Sequence, residues 1–110
     1  MVEETIFAEL IKDLDSFDRK LLFALDQLKA KQGKLTVKTS RFELCRLVRL
    51  GFNPDNVKKL NESLKRLEHT PLFLPSELHG FAFATKAIKR CYQESGTEKL
   101  VISLGKLFTL

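Results

Sequence analysis

The segment PDNVKKLNESLKRLEH, residues 54–69, sets four cations beside a line of leucines. At about 100° per residue, Val57, Leu60, Leu64 and Leu67 share one helical face, and the other carries Asp55, Lys58, Lys59, Glu62, Lys65, Arg66 and His69. Apolar anchorage from behind leaves Lys58, Lys59, Lys65 and Arg66 pointing outward, where their chemistry is neutralisation of phosphate charge. Asn53 and Asn56, at the start of the helix, are of a type that pairs with an adenine edge in two places. Asp55 accepts only from cytosine and repels phosphate, and Glu62 is similar, so the face favours selective over indiscriminate binding of DNA. Read alone, the helix is better taken as an amphipathic surface helix with solvated charges; the turn, the capped neighbour and the later hairpin reverse that preference.

Other cations flank it. Arg41 opens an earlier segment, and Lys86, Lys89, Arg90 and Lys99 lie in a later one, where lysine also serves to protect a strand edge. Catalytic signals are missing from the sequence. His69 and His79 have no partner at metal or triad spacing, and there is no phosphate loop or dinucleotide fingerprint. Cys45 and Cys91 lack a CxxC pattern and read as buried, reduced thiols. The expectation is a binding protein without metal or cofactor, not an enzyme.

The elements that must position these cations follow from punctuation and periodicity. Residues 3–14 put Ile6, Phe7, Leu10, Ile11 and Leu14 on one stripe, a short helix that either packs on the domain or serves self-association. Ser16 is the expected cap of a second helix, with Phe17, Leu21, Leu25 and Leu28 inward and Gly33 as its left-handed stop. Leu35, Val37 and Thr39 alternate as a short strand. Ser40 and Glu43 form a capping box for a helix running to about Leu50, with Phe42, Cys45 and Val48 inward, Arg41, Arg46 and Arg49 mostly outward, and Gly51 closing it. Pro54 suits a first helical position, and Thr70-Pro71 stops that helix. Leu72 to Leu74 is a possible short strand, and PSELHG a loop. A hairpin then joins 81–93 to 99–104, with Phe81, Phe83, Ala87 and Cys91 on one side and its tip near Ser95-Gly96; the alternative for Ala84 to Tyr92 is a helix.

The order helix, strand, helix, tight turn, helix, hairpin predicts an α+β winged helix-turn-helix: a three-helix core with an extra N-terminal helix and a C-terminal β-hairpin wing. In such a domain the second helix of the turn enters the major groove and the hairpin reaches the adjoining backbone. Composition agrees. The 110 residues fit one domain, residues 15–110 after the 1–14 segment, with 44% hydrophobic and 30% charged residues. The net charge of +5 divides into −3 over residues 1–30 and +8 over residues 31–110, so the later part is suited to a polyanion. No apolar run reaches the roughly twenty residues of a membrane span, and Glu3 and Glu4 stand where a secretory signal would be basic, so a cytoplasmic location is expected.

The run TVKTSRFELCRLVRLGFNPDNVKKLNESLKRLEHTPLFL resembles the first winged-helix segment of plasmid replication initiator proteins of the RepA/TrfA-like group. The likeness rests on Glu43-Leu44, Leu50-Gly51, Leu64, Leu67 and Thr70, and on the later FAFATKAIKRCYQESGTEKLVISLGKLF; it covers about residues 14–110. It implies double-stranded DNA with iterated origin repeats as ligand, a monomer–homodimer balance, host replication proteins as partners, and a second winged helix beyond Leu110. It also implies that this first domain contributes more to backbone contact and dimerisation than to base reading. A transcriptional repressor of the same fold, or a protein-interaction module, are the alternatives.

Overall fold

The computed structural model describes Ile11, residues 14–76 and residues 81–109. Helix α1 spans Ser16–Gln32. Its cap is Asp15, one residue earlier than expected: the Asp15 carboxylate accepts from the Phe17 amide at 2.8 Å. A carboxylate at this position satisfies a free first-turn amide and favours the positive end of the helix dipole. Leu21, Leu22, Leu25 and Leu28 are buried, and Gly33 ends the helix at φ 68° with its N–H on the Lys29 carbonyl.

Strand β1 spans Thr36–Ser40 and buries Val37 and Thr39. Leu35, expected on the inner face, precedes the strand and is 42% exposed. Helix α2 is Arg41–Leu47, α3 is Pro54–His69, β2 is Leu72–Ser76, β3 is Phe81–Thr85, β4 is Ile88–Gln93 and β5 is Lys99–Leu104, followed by a 3-10 turn over Lys106–Thr109. Among the described residues the three helices and a three-stranded antiparallel sheet of order β1-β5-β4 give an α+β fold, compatible with the expected winged helix.

The sheet departs from the expected single hairpin. A strand over 81–93 would far outrun its six-residue partner β5, and the chain breaks at Lys86-Ala87 instead. Phe81–Thr85 turns back on Leu72–Ser76 as a separate two-stranded ribbon, inserted between α3 and β4. Pro75, expected in a loop, is therefore in a strand, as a two-stranded ribbon permits because each strand has an open edge. Residues 84–92 form strands rather than the alternative helix. Ile88–Gln93 alone pairs with β5, with Cys91 opposite Ile102, and residues 94–98 make the tip, where Gly96 has φ 75°.

Leu100, Ile102 and Leu104 project from the central strand into a core shared with Leu22, Leu25, Leu44, Leu60 and Leu64. A helix side chain meets one backbone position on each sheet edge. Gln32 bonds the Lys38 amide and carbonyl at 3.0 and 2.8 Å on the β1 edge, and Glu68 accepts from the Cys91 amide at 3.0 Å on the β4 edge. Such partners leave fewer open amides for edge-to-edge association.

Ile11 is fully buried in this same core and Leu14 packs against it, so these two members of the proposed self-association stripe serve the chain's own fold. Ile6, Phe7 and Leu10, with the helix expected over 3–14, lie outside the described residues apart from a turn in which the Leu14 amide bonds the Ile11 carbonyl.

Burial pushes the Cys45 thiol up from its ordinary pKa, and burial together with the nearby Glu68 carboxylate does the same for Cys91. Only thiolates react, so buried Cys45 is protected twice, by access and by protonation, and half-buried Cys91 chiefly by protonation. Native protein at neutral pH should react with a thiol reagent at least about tenfold more slowly than protein unfolded in guanidinium; equal rates followed by mass spectrometry would contradict the burial of Cys45.

Candidate nucleic-acid interface

Helix α2 is shorter than periodicity suggested. Ser40 caps it, accepting from the Glu43 amide at 3.0 Å, while the Glu43 carboxylate takes the Thr39 hydroxyl at 2.6 Å. Its buried residues are Leu44 and Cys45, with Val48 just beyond, and Phe42, expected inward, is 58% exposed. Leu44 takes the inward place because it shares a face with Val48 four residues on, and Phe42 shares its own with exposed Arg46.

The turn also differs. The Arg49 amide bonds the Arg46 carbonyl and the Leu50 amide bonds the Cys45 carbonyl, which closes α2 as a Schellman motif after Leu47. The left-handed residue is Arg49, at φ 62°, and not Gly51. Arginine holds this conformation against the clash of its own Cβ, which glycine lacks. Arg49→Gly should accordingly stabilise the fold by about 0.5–1 kcal/mol, a rise of several degrees in melting temperature by circular dichroism; an unchanged or lower midpoint would contradict the strain.

Asn53 caps α3, accepting from the Asn56 amide at 2.9 Å, and the Asn56 side chain donates to the Gly51 carbonyl at 2.8 Å. These are the two amides expected to read bases. One polar atom of each is committed to building the turn, which corrects the two-point pairing with adenine expected of them: the same groups that recognise a base edge also satisfy free backbone groups at a helix start.

Along α3, Leu60, Ser63, Leu64 and Leu67 are buried and Val57 is half-buried. Arg66 is a further correction. Its guanidinium folds back on Asp18 of α1, at 2.8 Å to Oδ1 and 3.3 Å to Oδ2, and the buried Ser63 hydroxyl donates to the same carboxylate. The hydrogen bond that Arg66 donates to Asp18 is the main cause of its raised pKa, so this cation is fixed in charge and in place.

The lysines split by direction. Lys58 and Lys65, seven residues apart, fall within about 20° of one line on the helix, whereas Lys59 lies about 100° round from Lys58. Lys59 instead borders an open groove of about 440 Å³ beside the start of α1, together with Asp15, Lys20, Glu62 and Arg66. Mixed charges there neutralise one another.

Arg41 gives the Lys58–Lys65 line its neighbours. Its Nε donates to Asn61 Oδ1 of α3 at 2.8 Å and its Nη1 to Gln93 Oε1 of β4 at 2.8 Å. Lys99 pairs in register with Ser40, the residue before Arg41. Lys58 and Lys65 on α3 and Arg41 at the start of α2 are therefore neighbours, and Lys99, beside Ser40 in the register, stands at the tip end of the hairpin. Lys58, Lys65 and Lys99 have no ion pair or side-chain hydrogen bond among the described residues.

The other hairpin cations do not join this group. Lys86 lies before β4, at the end of the sheet away from Lys99. A register shift between Ile88 and Arg90 exposes Lys89 and Arg90 in succession, and Arg90 sits 4.9 Å from the centre of the Tyr92 ring. The tip carries Glu94, which pairs with Lys38 at 3.6 Å.

Among the described residues no three His, Cys, Asp or Glu side chains come together as a metal site, and no helix is long and apolar enough to cross a membrane. No protein-family model, curated protein or solved structure matches this chain.

Proposed function

We propose that this chain is a duplex-DNA-binding domain of the winged-helix type, in which α3 and the β4–β5 hairpin lie along the phosphate backbone. The observation that carries the reading is the group Lys58, Lys65 and Arg41, joined by the Arg41 bridge between α3 and β4, with Lys99 one register position away at the tip end of the hairpin. The α2–turn–α3 unit and the strand order β1-β5-β4 support it, since that arrangement sets a hairpin beside the second helix. Contact is with phosphates rather than base edges, because Asn53 and Asn56 are occupied in the turn. Asp55 and Glu62 on the same helix hold the affinity down.

Reversing Lys58 and Lys65 together to glutamate should lower duplex affinity by about a hundredfold at moderate salt, as two attractions become repulsions. Both side chains are exposed, so the melting temperature should stay within a few degrees. Fluorescence anisotropy with a labelled duplex measures the effect, and undiminished binding would remove α3 from the interface.

The resemblance to plasmid replication initiators supports a narrower proposal: cytoplasmic origin repeats as the duplex, a homodimer in the balance, and host replication proteins as later partners. Binding of repeated and scrambled duplexes with equal affinity would leave a backbone-binding domain without that role.

A further inference from the structure

One exposed face is unused by the proposed DNA site. Phe42 is 58% exposed and Phe52, in the turn after α2, is 56% exposed. Their rings meet edge to face, with centroids 5.5 Å apart and planes at 75°, which leaves most of both rings to solvent. Arg46 lies one helical turn beyond Phe42, and its side chain is 68% exposed with a Glu43 oxygen 4.0 Å away. Arg49 lies in the turn between them, exposed, without an ion pair among the described residues, and in the left-handed backbone that a glycine would adopt freely. The neighbouring Arg41 turns to Asn61 and Gln93, about 100° round α2 from Phe42, so this face and the cationic group leave the helix on different sides.

Aromatic and arginine side chains dominate the energetics of protein interfaces, and paired rings present an apolar surface with little rotamer entropy to lose. We propose that Phe42, Phe52, Arg46 and Arg49 dock an acidic amphipathic helix of a partner protein. Leucine or phenylalanine side chains at helical spacing would cover the rings, and carboxylates beside them would meet the two guanidinium groups. Charge selects the occupant. A basic helix is repelled by a segment carrying +8 over residues 31–110, and a neutral one would desolvate Arg49 without a partner and Arg46 with only Glu43 at 4.0 Å. The one carboxylate on α2, Glu43, is already held by the Thr39 hydroxyl.

The test uses the full chain and two labelled synthetic helical peptides, one of Leu, Phe and Glu in amphipathic order and one with Lys in place of every Glu. The acidic peptide should bind and the basic one should not. Phe42→Ser combined with Phe52→Ser should weaken acidic-peptide binding at least tenfold while leaving duplex-DNA affinity and sedimentation mass unchanged. Arg49→Gly should weaken peptide binding several-fold even as it raises the melting temperature. Arg46→Glu with Arg49→Glu should transfer the preference to the basic peptide, which keeps the test decisive if the serine variants fold poorly. No acidic-peptide binding, equal binding of both peptides, loss of DNA affinity in the serine variants, or a change in their self-association would each overturn the proposal; the last two would assign the face to DNA or to a second copy of the chain.

Discussion

Alanine at position 105 is expected to destabilise the protein by about 3 kcal/mol or more, roughly 10–20 °C in melting temperature for a domain of this size. A Cβ built on Gly105 lies 1.9 Å from the Lys86 carbonyl oxygen and 3.0 Å from its carbon. Those are backbone atoms at the junction of β3 and β4, with no flexible side chain to swing aside. The Gly105 amide also bonds the Ala87 carbonyl at 2.8 Å. Relief requires the junction to move off the end of β5, which loses that bond and opens the packing of Ala87, Ile88, Leu104 and Leu107, all buried. Gly33 and Gly96 provide the contrast. Both have left-handed φ and open space around an added Cβ, so alanine there should cost only about 1–2 kcal/mol. Urea titrations of the three variants should rank Gly105→Ala well below the other two. A Gly105→Ala midpoint equal to theirs would contradict the close approach of Lys86.

Asp18→Ala is the second large effect, at about 2–4 kcal/mol. The Asp18 carboxylate is buried and accepts from the fully buried Ser63 hydroxyl and from Arg66. Alanine leaves Ser63 without its partner in the core and Arg66 without its counter-charge. The Arg66 side chain is 49% exposed, so solvent recovers part of its loss and the larger share belongs to Ser63 and to the cavity. Asp18→Asn keeps an acceptor for Ser63 and should cost distinctly less. Asp18→Ala combined with Ser63→Ala should be less destabilising than the two single effects added, because the second change removes the group that the first leaves unsatisfied. Strict additivity in denaturant unfolding would contradict the shared hydrogen bond. The triad also ties α3 to α1, so under the proposed function Asp18→Ala should weaken duplex-DNA binding through the helix it loosens.

What could be read from the chain was local. Gly33, the Ser40 cap, the Asn53-Pro54 start of α3 and the alternation of Leu100, Ile102 and Leu104 act within a few residues, and the structure has each of them. Asp18, Ser63 and Arg66 were illegible because their contact spans 45 and 48 residues, and each looks like a solvated residue of its own helix. The α2 turn misled for another reason. Gly51 offers a left-handed residue, but the bonds from the Arg49 and Leu50 amides back to α2 place that conformation at Arg49. Phe42 was assigned inward by a stripe that Leu44 satisfies equally well, and hydrophobicity alone cannot choose between them. The division of 81–93 into two strands depended on partner length, which only the pairing reveals. For the candidate site, Lys58, Lys65, Arg41 and Lys99 are all legible as cations, but the sequence does not separate them from Arg66, Asn53 and Asn56, whose side chains hold the fold.

The most direct measurement is the salt dependence of duplex-DNA binding by the unmodified chain. Four cations on phosphates predict an affinity that falls as the fourth power of salt or slightly less, a logarithmic slope of roughly −3 to −4 between 50 and 200 mM salt. With Lys58 and Lys65 both replaced by alanine the slope should shrink by about 2. A chain that fails to bind duplex at the lowest salt, or binds with a slope near zero, would contradict the account.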